Sequence, residues 1–123
     1  MRTLIAEDDE LLRALLEDFL TGLGHEVKSA VNGVDLVRLA LRERPELVIT
    51  DLNMPGMDGG SMVAMMDMYP DLEGIPVIII TGATEADLKR AGLPREIPVL
   101  AKPFDFDRIA AEIERVEHRR RFN

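Results

Sequence analysis

The chain has 123 residues, 31% of them charged, a formal net charge of −8 and no cysteine. That length fits one domain with a core of its own, and the missing cysteines exclude a disulfide framework and a thiolate metal site. The acidic balance argues against a nucleic-acid surface, which needs a concentrated positive footprint, and no apolar run approaches the roughly 20 residues of a membrane span.

Read in chain order, short apolar runs alternate with helix-periodic ones. Residues 3–6 are the first expected strand. Leu11, Leu12, Leu15, Leu16, Phe19, Leu20 and Leu23 then recur at helical spacing, with Gly22 and Gly24 at the helix end. A second strand is expected at 26–30. A second helix follows at 33–44, with Val34, Val37 and Leu41 on its inner face, stopped before Pro45. Residues 47–50 form the third strand and 58–69 a Met-rich third helix. Met54, Met57, Met62, Met65, Met66 and Met68 read mostly as core filler or surface of that helix. Residues 76–81 make a continuously apolar fourth strand, as burial on both sides demands. A short helix is expected at 84–91, the fifth strand at 98–101, and a last helix at 105–120 facing inward with Phe106, Ile109, Ala110, Ile113 and Val116. The three arginines of His118–Phe122 read as cations complementing the dipole of that helix. Residues 1–123 are one domain, with 118–123 read as a tail or truncated linker.

Five such β–α units in this length point to an α/β fold. The expected form is a flavodoxin-like, doubly wound parallel sheet of five strands in the order 2-1-3-4-5, with helices on both faces. Ligands in such sheets bind outside the carboxyl ends of the strands, where the order reverses. Those ends carry Glu7-Asp8-Asp9, Asp51, Thr81 and Lys102-Pro103. Taken singly, each has a structural reading. The acids cap a helix, Asp51 starts a turn, Thr81 bonds backbone, and Lys102 is solvated. Pro103 is a strand stop or a cis bond that aims Lys102 inward. Their joint placement at one edge is what separate caps do not explain.

Crowded carboxylates repel one another, and a hard cation such as Mg²⁺ relieves that with oxygen ligands. The absence of nearby His or Cys argues against Zn²⁺ and Cu²⁺. Lys102 is a point-charge phosphate binder and Thr81 a hydroxyl donor. Asp51 is a carboxylate able to act as the nucleophile of phosphoryl transfer.

With LIAEDDE (4–10), VITDLNMPGMDG (48–59), VIIITGA (77–83) and VLAKPF (99–104) in that order, the chain resembles the receiver domain of two-component response regulators over essentially its whole length. The chemotaxis regulator of that family is a reference example of the 2-1-3-4-5 order, so order and resemblance are one argument. The resemblance implies a phosphorylation-activated signalling switch in a two-component phosphorelay. Asp51 would accept a phosphoryl group from a phosphohistidine donor, a histidine kinase or histidine phosphotransfer protein. Such a module catalyses its own phosphorylation and dephosphorylation and turns over no separate substrate. It implies Mg²⁺ (or Mn²⁺) bound by Asp8 and Asp51, by the Asn53 backbone carbonyl, and by Glu7 mostly through water. Thr81 and Lys102 would bind phosphoryl oxygens, and Lys102 would pair with Asp51 beforehand. Donor docking is expected near the first helix and the loop at Phe104. An output partner or a homodimer is expected through helix 4, strand 5 and helix 5, with no nucleic acid and no membrane. The location is expected to be cytoplasmic, since MRTLIAEDDE lacks the architecture of a secretory leader.

One position departs from the family pattern. Val99 stands three residues before the lysine, where an aromatic ring usually turns inward as the threonine moves. Without a ring, the signal is expected to leave through the loop and helix after Thr81, or through direct docking. Two other functions stay open. A Mg²⁺-dependent phosphohydrolase working through an aspartyl phosphate would need a substrate pocket, and no cap domain or long insertion is visible to build one. A non-phosphorylated interaction domain of the same fold sits poorly with the intact residue set. Flavin binding is weaker still, because Glu7-Asp8-Asp9 would repel a phosphate.

Overall fold

The computed structural model describes residues 1–54, 57–94 and 96–122, with backbone alone at 53, 57–60 and 62. Five strands, β1 (Arg2–Ala6), β2 (Glu26–Ala30), β3 (Leu47–Asp51), β4 (Val77–Thr81) and β5 (Val99–Ala101), form one parallel sheet. Their order is β2-β1-β3-β4-β5, as expected. The helices are α1 (Glu10–Gly22), α2 (Gly33–Glu43), α3 (Gly59–Met68), α4 (Glu85–Ala91) and α5 (Phe106–Phe122). A two-residue antiparallel ladder, Asn53–Met54 with Met57–Asp58, follows β3. The Pro55-Gly56 part of the expected turn lies outside the described residues.

Alternate strand residues point to opposite faces of a sheet, so the apolar runs of β1, β3 and β4 feed two cores. Leu4, Ala6, Val48 and Ile79 pack with Leu36, Val37 and Ala40 of α2 and with Val63 and Met66 of α3. Ile5, Ile49, Ile78 and Ile80 pack with Leu16 and Leu20 of α1 and with Ile109, Ile113 and Val116 of α5. Each such fully buried aliphatic side chain contributes about 1.5–3 kcal/mol. The sheet is thereby clamped on both sides, and its carboxyl edge becomes a rigid rim.

Several expectations are corrected in detail. β4 and β5 begin one residue later than 76 and 98, because a proline has no N–H for the ladder. The Pro76 and Pro98 carbonyls still accept from Val48 N and Ile79 N, at 3.0 and 2.9 Å. In α1 the six large apolar residues from Leu11 to Leu20, with Leu23 as its C-cap, span more of the helix surface than one sheet face can cover. Leu16 and Leu20 are buried, whereas Leu11 and Leu15 are 71% and 46% exposed. In α2 the buried stripe is Gly33, Leu36, Val37 and Ala40. Val34 is exposed instead, because the helix phase is set where the Asn32 side chain accepts from Asp35 N. Arg44 ends α2 in the left-handed region (φ 48°), just before Pro45, which disfavours the right-handed helical region for its predecessor. α5 continues through Phe122, past the expected end at 120.

Met54 and Met66 are buried, Met65 is half-buried and Met68 is exposed. The Met57 and Met62 side chains lie outside the described residues. Among the described residues no helix is long and apolar enough to cross a membrane.

Candidate functional site

The rim carries the residues that the strand ends pointed to. Glu7 follows β1, Asp51 ends β3, Thr81 ends β4, and Lys102 follows β5. The register of β3 and β4 sets Asp51 opposite Ile80, one residue from Thr81, and Thr81 pairs with Ala101 beside Lys102. Lys102 N–H donates to the Thr81 carbonyl at 2.7 Å, tying the last two strand ends together. The Lys102–Pro103 peptide bond is cis.

Lys102 bridges two carboxylates. Its ammonium donates to Glu7 Oε1 at 2.6 Å and to Asp51 Oδ2 at 2.8 Å. Glu7 is fully buried, and its other oxygen accepts from Asp9 N at 3.2 Å. Burial pushes the Glu7 carboxyl above its ordinary range, and the Lys102 and Asp9 bonds only partly offset this. Burial alone would lower Lys102, but its bonds to Asp51 and Glu7 prevail and hold the ammonium above its usual value.

Glu7, Asp8 and Asp51 each offer a carboxylate oxygen within 4.8 Å of the others. Mg²⁺ ligands at about 2.1 Å lie about 3–4.2 Å from one another, so this all-oxygen set fits the ion with small adjustments. Three carboxylates against one ammonium also leave a formal double negative charge for a divalent cation. Glu7 and Asp51 are buried while Asp8 is exposed, so the set opens to solvent on the Asp8 side. The Asn53 backbone lies in the short ladder just after Asp51; its side chain is outside the described residues.

The neighbouring acids have separate work. Asp9 is the N-cap of α1, its Oδ1 accepting from Leu12 N at 2.9 Å, as the capping reading expects. Asp9→Ala is expected to cost about 1 kcal/mol in urea unfolding and to weaken Mg²⁺ binding far less than Asp8→Ala does. Equal Mg²⁺ losses in the two variants would contradict that division. Thr81 is buried, and its Oγ1 accepts from Ala83 N at 3.0 Å, leaving the hydroxyl proton available to a further acceptor. Thr84 caps α4 with a reciprocal bond to Asp87, which continues the chain of contacts from Thr81 into that helix.

Sequence reasoning passed over Arg13, while His25, expected in a turn away from the site edge, is found there. Arg13 donates from Nη1 to the Glu7 carbonyl at 3.0 Å. The available signal was its helical position four residues after the Asp9 cap. His25 is buried at the opposite edge of the sheet. Its Nδ1 lies 2.9 Å from the N-terminal amine and its Nε2 is 3.9 Å from Glu117. Burial, with the ammonium beside it, lowers its basicity. A lone histidine in a turn gives no sequence sign of that.

The family model described as "Response regulator receiver domain" matches residues 3–114. The chain is 33% identical over 117 residues to Sporulation initiation phosphotransferase F of Bacillus subtilis, covering 93% of this chain and 91% of that one. It is 35% identical over 121 residues to Transcriptional regulatory protein PrrA of Mycobacterium tuberculosis, covering 97% of this chain but spanning about half (51%) of the relative. A solved structure, the receiver domain of sensor histidine kinase PA1611 from Pseudomonas aeruginosa with a magnesium ion coordinated in its active site cleft, superposes with a TM-score of 0.82. It is 27% identical, with 93% of this chain and 94% of that one covered.

Proposed function

The chain belongs to the response regulator receiver domain family, and from that premise we propose that it is a switch phosphorylated on Asp51 by a phosphohistidine donor. The observation that carries this is the Lys102 ammonium, held at once by Asp51 and Glu7 beside the exposed Asp8 carboxylate. A rigid strand end fixes the Asp51 carboxylate more tightly than a loop would. In the reaction an Asp51 oxygen forms a bond to phosphorus as the bond from phosphorus to the donor imidazole nitrogen breaks. The electron pair stays on that nitrogen, which takes a proton from solvent. Lys102 can follow the incoming phosphoryl oxygens while keeping its bond to Glu7, and the Thr81 hydroxyl can donate to one of them. Asp8, Asp51 and the Asn53 carbonyl would hold Mg²⁺, with Glu7 contributing mostly through water. The full burial of Glu7 and its bond to Lys102 support that indirect role. When bound, the ion supplies neutralising charge to the phosphoryl oxygens.

The donor, a histidine kinase or histidine phosphotransfer protein, would dock on α1, where the exposed Leu11 and Leu15 lie one helical turn apart. Phe104, stacked edge-on against Phe106 with centroids 5.4 Å apart, borders the same side. The reading places this chemistry in the cytoplasm. Output would pass through the face of α4, β5 and α5, to a partner or a second copy. Val99 is half-buried, and Thr81 is linked to α4 through Ala83 and the Thr84 cap. α4 has no fully buried residue, so little packing opposes its movement. Amide exchange across residues 82–91 is expected to change on phosphorylation more than exchange across α1; identical protection in both states would sink this route.

The function itself is tested by intact-protein mass after incubation with Mg²⁺ and acetyl phosphate. One added phosphoryl group supports it. No gain with that donor or with a phosphohistidine protein removes it.

A further inference from the structure

We propose that Arg13 is a positioning residue for the metal-binding carboxylates, acting through the backbone between Glu7 and Asp8. This rests on the Mg²⁺-dependent reading of the site. Asp8 is exposed and its side chain makes no hydrogen bond among the described residues, so its aim depends on the peptide that carries it. The backbone on either side of that peptide, and the peptide itself, are held at three points. Glu7 N–H donates to the Ala30 carbonyl at 3.2 Å, anchoring the strand side to β2. Asp9, the next residue, donates its N–H to Glu7 Oε2 and caps α1. Between them, the Glu7 carbonyl receives the Arg13 guanidinium at 3.0 Å. This carbonyl belongs to the Glu7–Asp8 peptide bond, and a peptide unit is planar. Fixing its oxygen therefore fixes the plane from which the Asp8 side chain departs.

Arg13 is well placed for this. Its own N–H donates to the Asp9 carbonyl at 2.9 Å as the first helical bond after the cap, so its stem is locked to the first turn of α1. From there the side chain reaches back over the turn N-terminal to it, the direction helical side chains favour. It is half-buried, so solvent screens the bond only in part. It also brings a cation beside the run Glu7, Asp8, Asp9 and Glu10, easing their mutual repulsion without bonding to the Asp8 carboxylate.

A purely electrostatic role would have the opposite sign. A nearby guanidinium repels Mg²⁺, so deleting it would tighten binding. A positioning role predicts weaker binding when the contact is lost. The two are separated by calorimetric Mg²⁺ titration of wild type and Arg13→Met. Thermal midpoints are recorded in EDTA, and initial labelling rates with acetyl phosphate are followed across Mg²⁺ concentrations.

In Arg13→Met the Kd for Mg²⁺ is expected to rise about tenfold, the low end for partners that orient metal ligands. The half-saturating Mg²⁺ for labelling should rise by the same factor, with the rate at saturating Mg²⁺ retained. An unchanged or tighter Kd overturns the proposal, as does a labelling rate lost even at saturating Mg²⁺. A lowered thermal midpoint with unchanged Kd also overturns it, assigning Arg13 to the fold alone. Should Arg13→Met not fold, Arg13→Gln, too short to reach the Glu7 carbonyl, replaces it with the same expectations. Failure of wild type to bind Mg²⁺ would sink the metal reading and this role together. Wild-type binding with an unaffected variant sinks the positioning role alone.

Discussion

Asp51→Asn is expected to gain no phosphoryl group under conditions that label the wild type fully, while remaining folded. The first half follows from charge. The amide oxygen is neutral and a poor nucleophile, and Glu7, the other buried acid, has its two oxygens committed to Lys102 and to Asp9 N. Glu7 shares the burial and the bond to Lys102, but with both oxygens committed it has no free oxygen to present to a phosphoryl group. The second half follows from what the substituted side chain would retain. Its amide carbonyl oxygen can still accept from Lys102, and the Glu7–Lys102 pair is untouched. Removing one of three crowded carboxylates also relieves repulsion. These effects oppose the weakening of a charge-assisted bond, so unfolding free energy in EDTA should move by no more than about 1–2 kcal/mol. Persistent labelling of the folded variant would move the acceptor elsewhere and would falsify the assignment. A variant that does not fold would show instead that Asp51 is needed to hold the rim together.

The parts of this molecule legible in sequence are those where one residue has one place to go. β4 reads as a buried parallel strand because Val77–Thr81 offers no polar side before Thr81. With strand order fixed by five β–α units, Asp51, Thr81 and Lys102 had to meet at the rim, because each ends or follows a strand. Composition and spacing alone left open the choice among equivalent neighbours, which only the family resemblance assigned. Glu7, Asp8 and Asp9 are three acids in a row, yet one is buried against Lys102, one faces solvent and one caps a helix. Their directions depend on how the chain leaves β1, where its contacts to Ala30 and Arg13 decide the matter. The leucines of α1 were ambiguous for the same reason. Periodicity shows that a wide apolar surface exists, but the space left by α5 and the sheet selects Leu16 and Leu20 over Leu11 and Leu15. The two leucines left outside lie on the helix that follows the acidic turn, so this apparent failure of the pattern coincides with the proposed docking face.

Lys102→Met is expected to lower unfolding free energy by about 3–5 kcal/mol at neutral pH without Mg²⁺, the usual effect of removing one partner from a buried ion pair. Glu7 has no exposure to water and Asp51 has little, so neither carboxylate can recover its hydration. With the ammonium gone, Glu7 loses the bond and the charge that offset its burial, and its carboxyl moves further above the ordinary range. A carboxyl raised in the folded state supports folding most below its unfolded pKa, and that support fades as pH rises through the folded value. The defect in Lys102→Met should therefore shrink as pH is lowered, because a raised Glu7 carboxyl takes up a proton more readily. Mg²⁺ should shrink it too, by binding the native carboxylates in the place of the lost cation. Urea unfolding of both proteins at pH 7 and pH 5, in EDTA and in Mg²⁺, reads all of this. A deficit below about 1 kcal/mol at pH 7 would show that solvent already screens the pair. A deficit independent of pH and Mg²⁺ would show that Lys102 supports the rim by packing alone, and the electrostatic account of the site would have to be abandoned.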